Sequence, residues 1–191
     1  MAKRVFFSFH YQDVIDFRVN IVRNHWITKS DRKEAGFFDA SIWESAKRTS
    51  DLALKKLINK GLSNTSSTCV LIGTDTFQRR WVRYEILRSI FVSNSICGVH
   101  INKIKDKDQW IKNYGENPFD YLGIEYSEDG YYAQPIEYKN IKWHFSKDFE
   151  KYKLGTRAKN EYRGKSYKLS KWYSTYKWIS DDGYNNFSKW V

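Results

Sequence analysis

The stretch TFQRRWVRYEI, residues 76–86, sets one carboxylate, Glu85, among arginines, aromatics and aliphatics. Read as a helix, it stacks Trp81 and Glu85 four residues apart on one face, while Val82, Ile86 and Ile90 form the neighbouring apolar stripe. Glu85 therefore borders a buried face. A carboxylate in such a place is either paired, with Arg79, Arg80 or Arg88 within reach, or it has chemical work to do.

A second group of residues lies in RVFFSFHY, residues 4–11. On a strand, Phe6 and Ser8 share one face and Phe7 and Phe9 the other, with His10 returning to the Ser8 side as the strand ends. Together with Glu85 they would set an apolar wall, a hydroxyl and a buried acid around one crevice. Each also has a plainer reading, Phe6 as core packing and Ser8 as a hydroxyl satisfied by nearby backbone.

Other chemistries lose ground. Neither GxxxxGK[ST] nor GxGxxG occurs, and HExxH, an EF-hand loop and paired CxxC are also missing. Cys69 and Cys97 sit inside apolar runs and read as reduced core thiols. His100, three residues beyond Cys97 on a strand, points to the opposite face and cannot serve it as a base. No metal ligand set is expected.

The elements that must position these residues alternate. RVFFSF is a strand, and DVIDFRVNIVRNHW carries Val14, Phe17, Ile21 and Val22 at helical spacing. ITKSDRKEAG reads as a loop and FFDAS as a short second strand. TSDLALKKLINKGL reads as a helix, with Thr49 or Ser50 as its N-cap and Gly61 near its end. STCVLIGT is a near-continuous apolar strand, the Glu85 helix follows, and ICGVHINKI is another buried strand. This β-α alternation predicts an α/β fold, a parallel sheet with helices on both faces, whose sites gather at SFHY, DAS, GTDT and NKIKD. After residue 105 the pattern breaks. PIEYKNIKWHF reads as a strand, and Trp172, Tyr176 and Ile179 fall near helical spacing. Residues 1–122 are expected to form the main unit and 123–191 an aromatic-rich C-terminal extension packed on the same domain.

The 191 residues are 41% hydrophobic, enough for one core, and no run approaches the ~18 apolar residues of a spanning helix. The start MAKRVFFSFHYQDV lacks the long apolar segment of a signal peptide, so a cytoplasmic location without membrane contact is expected. The net charge of +11 and 18% aromatics admit two accounts of the C-terminal third. It is either a stacking platform for single-stranded nucleic acid or a subdomain with an aromatic core.

Three ordered segments, RVFFSFHYQDV, TCVLIGTDTFQRRWVRYEI and GVHINKIKDKDQW…GENPF, together resemble the bacterial TIR-like domain family, and within it the signalling proteins of Thoeris anti-phage defence systems. Trp81 to Glu85 fits the WxxxE spacing of TIR domains that cleave NAD. The resemblance spans roughly residues 1–122. It implies a flavodoxin-like fold, NAD as substrate rather than cofactor, and no further cofactor. It makes Glu85 the catalytic residue and Phe6, Ser8, His10 and Trp81 the substrate-binding ones. It further implies a cyclic ADP-ribose-type second messenger, a separate effector protein reached by that diffusible signal, and a phage-derived trigger. Homo-oligomer formation is left open, and nucleic acid is not expected as a partner. A catalytically silent, oligomerising scaffold and a basic nucleic-acid-binding domain are the competing readings.

Overall fold

The computed structural model describes residues 3–28, 31–35, 45–46 and 48–191. Its first layer is a five-stranded parallel sheet. In chain order the elements around it are β1 (Lys3–Phe9), α1 (Gln12–Ile15), α2 (Arg18–Ile27), β2 (Arg32–Ala35), α3 (Asp51–Leu62), β3 (Ser67–Ile72), α4 (Arg80–Phe91) and β4 (Ser95–His100). The fifth strand comes from far along the chain: β10 (Thr175–Lys177) lies against β4, giving the order β10-β4-β3-β1-β2.

Side chains of successive strand residues point to opposite faces, and here both faces are covered. Val5 and Phe7 of β1, with Cys69 and Leu71 of β3, meet Val19, Val22 and Trp26 of α2. Phe6 faces Leu54 and Ile58 of α3 and Tyr84 of α4, while Val70 and Ile72 meet Val82 and Ile86 of α4. The uninterrupted apolar runs of β1 and β3 follow from this double burial. Cys69 and Cys97 are directly paired across β3 and β4, free and buried, and burial pushes the Cys69 thiol well up.

The second layer is antiparallel. It contains β5 (Leu122–Tyr126), β6 (Tyr132–Lys139), β7 (Lys142–Phe145), β8 (Tyr152–Lys153) and β9 (Ser166–Lys168), in the order β7-β6-β5-β9 with β8 beside β6. Leu122, Ile124 and Ala133 of this sheet share a cluster with Val82, Ile86 and Leu87, so α4 lies between the two sheets. The final helix, α5 (Gly183–Trp190), returns to the first sheet, where Phe187 stacks 6.1 Å from Phe7 and packs edge-on to Trp26 and Trp178.

Several sequence expectations change. ITKSDRKEAG is not wholly a loop: Arg32–Ala35 pairs in parallel with β1 as the edge strand β2. Edge strands need no apolar run, and this one is held by polar contacts. Arg23 grips the Glu34 carboxylate through two nitrogens at 2.5 and 2.7 Å, and Trp26 Nε1 donates to the Lys33 carbonyl at 2.8 Å. FFDAS lies outside the described residues. The first helical stretch is broken at Phe17, whose φ of 65° is left-handed, into α1 and α2. PIEYKNIKWHF is two strands, turning at Asn140 and Ile141 with φ of 50° and 65°. Paired positive φ values are the mark of a tight hairpin turn whose twist matches the strands. Trp172, Tyr176 and Ile179 do not share a helix face, because Tyr176 lies in β10. The C-terminal helix starts only at Gly183.

Candidate active site

Strand β1 and helix α4 bring the two sequence-distant candidates together. Ser8 and Glu85 are both buried, and the Ser8 hydroxyl donates to Glu85 Oε2 at 2.5 Å. Ser8 takes this position because it follows Phe6 by two residues, on the face turned toward α4. A buried polar chain fixes the height of Glu85 along the helix. The Ser89 hydroxyl donates to the Glu85 carbonyl at 2.7 Å and lies 2.8 Å from Thr68 Oγ1, which accepts from Asn94 Nδ2 at 3.1 Å. Thr68 is paired with Phe6 across β1 and β3, so the chain ties α4 to the strands that carry Ser8.

The arginines do not neutralise Glu85. Arg79 pairs with Asp75 at 3.6 Å, and Arg80 reaches Asp51 at 2.7 Å and Asp148 at 3.2 Å. Arg83 donates to the carbonyls of Phe77 and Tyr138 and lies 3.7 Å from Glu137. Among the described residues no ion pair includes Glu85. Burial pushes its carboxyl up to about 8, opposed only by the Ser8 hydrogen bond. At neutral pH the acid is therefore held mostly protonated. A cation brought beside it draws it toward the carboxylate.

Trp81 packs against the cluster containing Phe6, Leu54, Ile58 and Tyr84. Its ring stands edge-on to Tyr84 at 5.9 Å and lies 4.6 Å beneath the Arg80 guanidinium. Phe6 belongs to the same cluster and is wholly enclosed. His10, half-exposed beyond the end of β1, has no hydrogen bond to Ser8 or Glu85 among the described residues. Burial and then the Arg79 charge push its imidazole down, so it is neutral at physiological pH. The structure thus joins Ser8 to Glu85, sets Phe6 and Trp81 in one apolar cluster, and leaves His10 beyond the end of β1 without a bond to either.

The sequence reading missed a second acid at the strand ends. Asp13 of α1 is buried, its Oδ2 has no hydrogen-bond partner, and burial raises its carboxyl to about 6. It presses on Gly73 just past β3, where a Cβ would come within 2.1 Å of the carboxylate. On the other side, a Cβ on Gly115 would meet the Gly73 carbonyl at 2.0 Å. The fully buried Arg18 guanidinium fastens this region, donating to the carbonyls of Ile104 and Trp110 and pairing with Asp16 at 2.8 Å and Asp106 at 3.0 Å. Lys112 adds an ion pair to Asp16. Asp13 stands five residues after Ser8 in a segment that resembles an ordinary helix start, and only the glycines at 73 and 115 hint that backbone packs there. No group of three or more His, Cys, Asp or Glu suited to a metal ion occurs among the described residues.

A five-stranded parallel sheet with helices on both faces is consistent with a TIR-like fold. The sequence profile described as "Thoeris protein ThsB, TIR-like domain" matches residues 6–106. A protein of Bacillus cereus (strain MSX-D12), provisionally named cyclic ADP-D-ribose synthase ThsB1, is 61% identical over 191 residues, covering the whole of both chains. The chain belongs to the ThsB family of TIR-like proteins.

Proposed function

We propose that this protein is a NAD-consuming enzyme of anti-phage defence that cleaves the nicotinamide–ribose bond and closes the remainder into a cyclic ADP-ribose-type second messenger. The observation that carries this reading is the buried Glu85 carboxyl, joined to Ser8 at 2.5 Å and without an ion-pair partner among the described residues. The synthase name of the Bacillus cereus relative supports it. As the glycosidic bond breaks, its electron pair leaves with neutral nicotinamide and positive charge collects on the ribosyl carbon. The Glu85 carboxylate, drawn from its protonated form by the cationic substrate, stabilises that charge. Ser8 holds the carboxylate in place, and Phe6 and Trp81 wall the ribose. An internal nucleophile of the same molecule then attacks the ribosyl carbon, so the site must exclude water to favour ring closure over hydrolysis. His10, neutral at the mouth, borders the departing nicotinamide.

Glu85 is 5% exposed and Phe6 is wholly covered, so NAD reaches them only when the seam between β1, α3 and α4 opens. That opening is the step a phage-derived trigger controls, and the product then acts on a separate effector. No described helix is long and apolar enough to cross a membrane.

The test is NAD consumption and cyclic product formation in infected cells, with melting temperature followed on purified variants. Glu85→Gln is expected to lower turnover by ~10²–10³ while the fold survives. Ser8→Ala is expected to cost roughly tenfold, because a neutral hydrogen bond contributes less than a charge. A folded Glu85→Gln protein making wild-type amounts of product overturns the mechanism.

A further inference from the structure

The second sheet has a face that α4 does not cover. Alternation along β6 turns Glu137 inward, toward Arg83 of α4, and Ile136 outward. The outward row at that level runs Lys168–Gly123–Ile136–Phe145 across four strands. Gly123 leaves the row without a side chain at its centre. A Cβ there would meet the Tyr167 carbonyl at 2.6 Å and Ile136 Cγ1 at 3.1 Å, so the strands close tightly beneath an open slot. The result is a cavity of about 560 Å³, bounded by Trp143 and Phe145 on one side and by Glu125, Ser166 and Lys168 on the other. It lies on the opposite face of this sheet from the helix that carries Glu85.

We propose that this slot binds a mononucleotide whose base carries an exocyclic amino group. Two large rings border it while staying in solvent: Trp143 is 37% exposed and Phe145 is 52% exposed. Trp143 meets Tyr138 at a tilt, 5.4 Å between ring centres, and lines the slot. Ring faces of this kind stack bases of any identity. Ile136, 4% exposed although it points outward, makes an apolar floor. The Glu125 carboxylate, fixed by the Ser166 hydroxyl at 3.1 Å, has acceptor capacity left for an amino group. Lys168 at the far end of the row supplies the cation for a phosphate. The volume suits one nucleotide and not a strand, since small-ligand pockets span roughly 300–1,000 Å³. An aromatic wall, a carboxylate and a lysine in one slot match the base face, the amino edge and the phosphate of a single molecule.

The experiment is equilibrium binding of AMP, CMP, GMP and UMP to the purified full chain, with ribose 5-phosphate as the charge-only control. Wild type is expected to bind the three amino-bearing nucleotides at least tenfold more tightly than UMP, and ribose 5-phosphate more weakly than any of them. Phe145→Ala and Trp143→Ala, both at exposed positions, are expected to weaken AMP binding at least tenfold with melting temperature unchanged. Glu125→Gln is expected to reduce the preference for AMP over UMP, and Lys168→Ala to remove the salt dependence. Glu85→Gln is expected to leave all of this intact, which separates the slot from the proposed NAD site and from its failure. No binding at millimolar nucleotide, equal binding of ribose 5-phosphate, or AMP binding lost in Glu85→Gln but kept in Phe145→Ala overturns the proposal.

Discussion

The two sheets of this protein place opposite demands on their residues. In the parallel sheet, α2 and α5 cover one face and α3 and α4 the other, and Phe6, Phe7, Ser8, Val70 and Leu71 have no exposed surface. In the antiparallel sheet only the α4 side is closed, and β7 is exposed along its whole length. A polar group in the first sheet costs free energy unless something compensates it, whereas the second sheet carries Lys142 and His144 beside Trp143 at no such cost. The difference teaches where to look for chemistry. An unpaired acid against the double-covered sheet is informative by itself, whereas a charged residue on the open one becomes so only where it lines a cavity.

The sharpest way to break this comparison is to delete one ring from each sheet. Phe7→Ala is expected to cost about 3–5 kcal/mol through lost burial and a residual cavity, and Phe145→Ala to stay within about 0.5 kcal/mol. Urea unfolding of the two variants measures both, and similar midpoints would remove the distinction.

The next effect is the burden of Glu85. Its folded value of about 8 lies above its ordinary 4.5, so the folded state holds the proton more tightly than the unfolded chain. Stability from this group is complete below pH 4.5, falls as pH rises to about 8 and is flat beyond. Glu85→Gln removes that titration. The variant is expected to gain on wild type across this window, by on the order of a few kcal/mol above pH 8. Asp13 loses stability between its ordinary 3.8 and about 6, but does so in both proteins and cancels. On the proposed mechanism the same titration would also set the rate. At limiting NAD, turnover is expected to rise with pH toward about 8 as the free protein gains the carboxylate, and a flat profile from 6 to 9 would detach Glu85 from the rate.

The smallest effect belongs to the open sheet. Ile141 is 87% exposed and holds φ of 65°, a conformation that disfavours a β-branched residue. Ile141→Gly is expected to stabilise the hairpin by up to ~1 kcal/mol, the relieved strain exceeding the entropy lost by glycine. A lower melting temperature would show that the turn tolerates Ile141 without strain.

The same contrast explains what the sequence disclosed. β1, β3 and β4 were legible because double burial makes them mostly apolar, with polar residues such as Ser8 and Thr68 kept only where they find a hydrogen bond, and the two-residue and four-residue periods put Ser8 and Glu85 on facing surfaces. β2 was hidden because an edge strand held by Arg23 and Trp26 needs no apolar run. β10 was hidden because its partner β4 lies some 75 residues earlier, and no local pattern encodes that distance. The hairpin at Asn140 and Ile141 lacked the glycine that usually announces such a turn. Asp13 was quoted in its segment and passed over, since only the fold shows its carboxyl pressed on Gly73. The ion pair weighed for Glu85 is absent among the described residues: Arg79 and Arg80 are taken by Asp75, Asp51 and Asp148, and no ion pair joins Arg88 to Glu85.

The return of β10 and α5 to the first sheet has a consequence for the order in which the protein is made. β1, β3 and β4 leave the ribosome long before Tyr176, Trp178 and Phe187, which cover one face and one edge of the sheet they form. At about 5–20 residues per second, the interval between residues 100 and 187 lasts roughly 4–17 s. Throughout it, Phe7 lacks its stacking partner and β4 offers unpaired backbone to any neighbouring strand. The nascent sheet is then sticky on the side opposite Glu85, and a ribosome stalled in this interval would present a chain prone to aggregate although Ser8 and Glu85 have both been made.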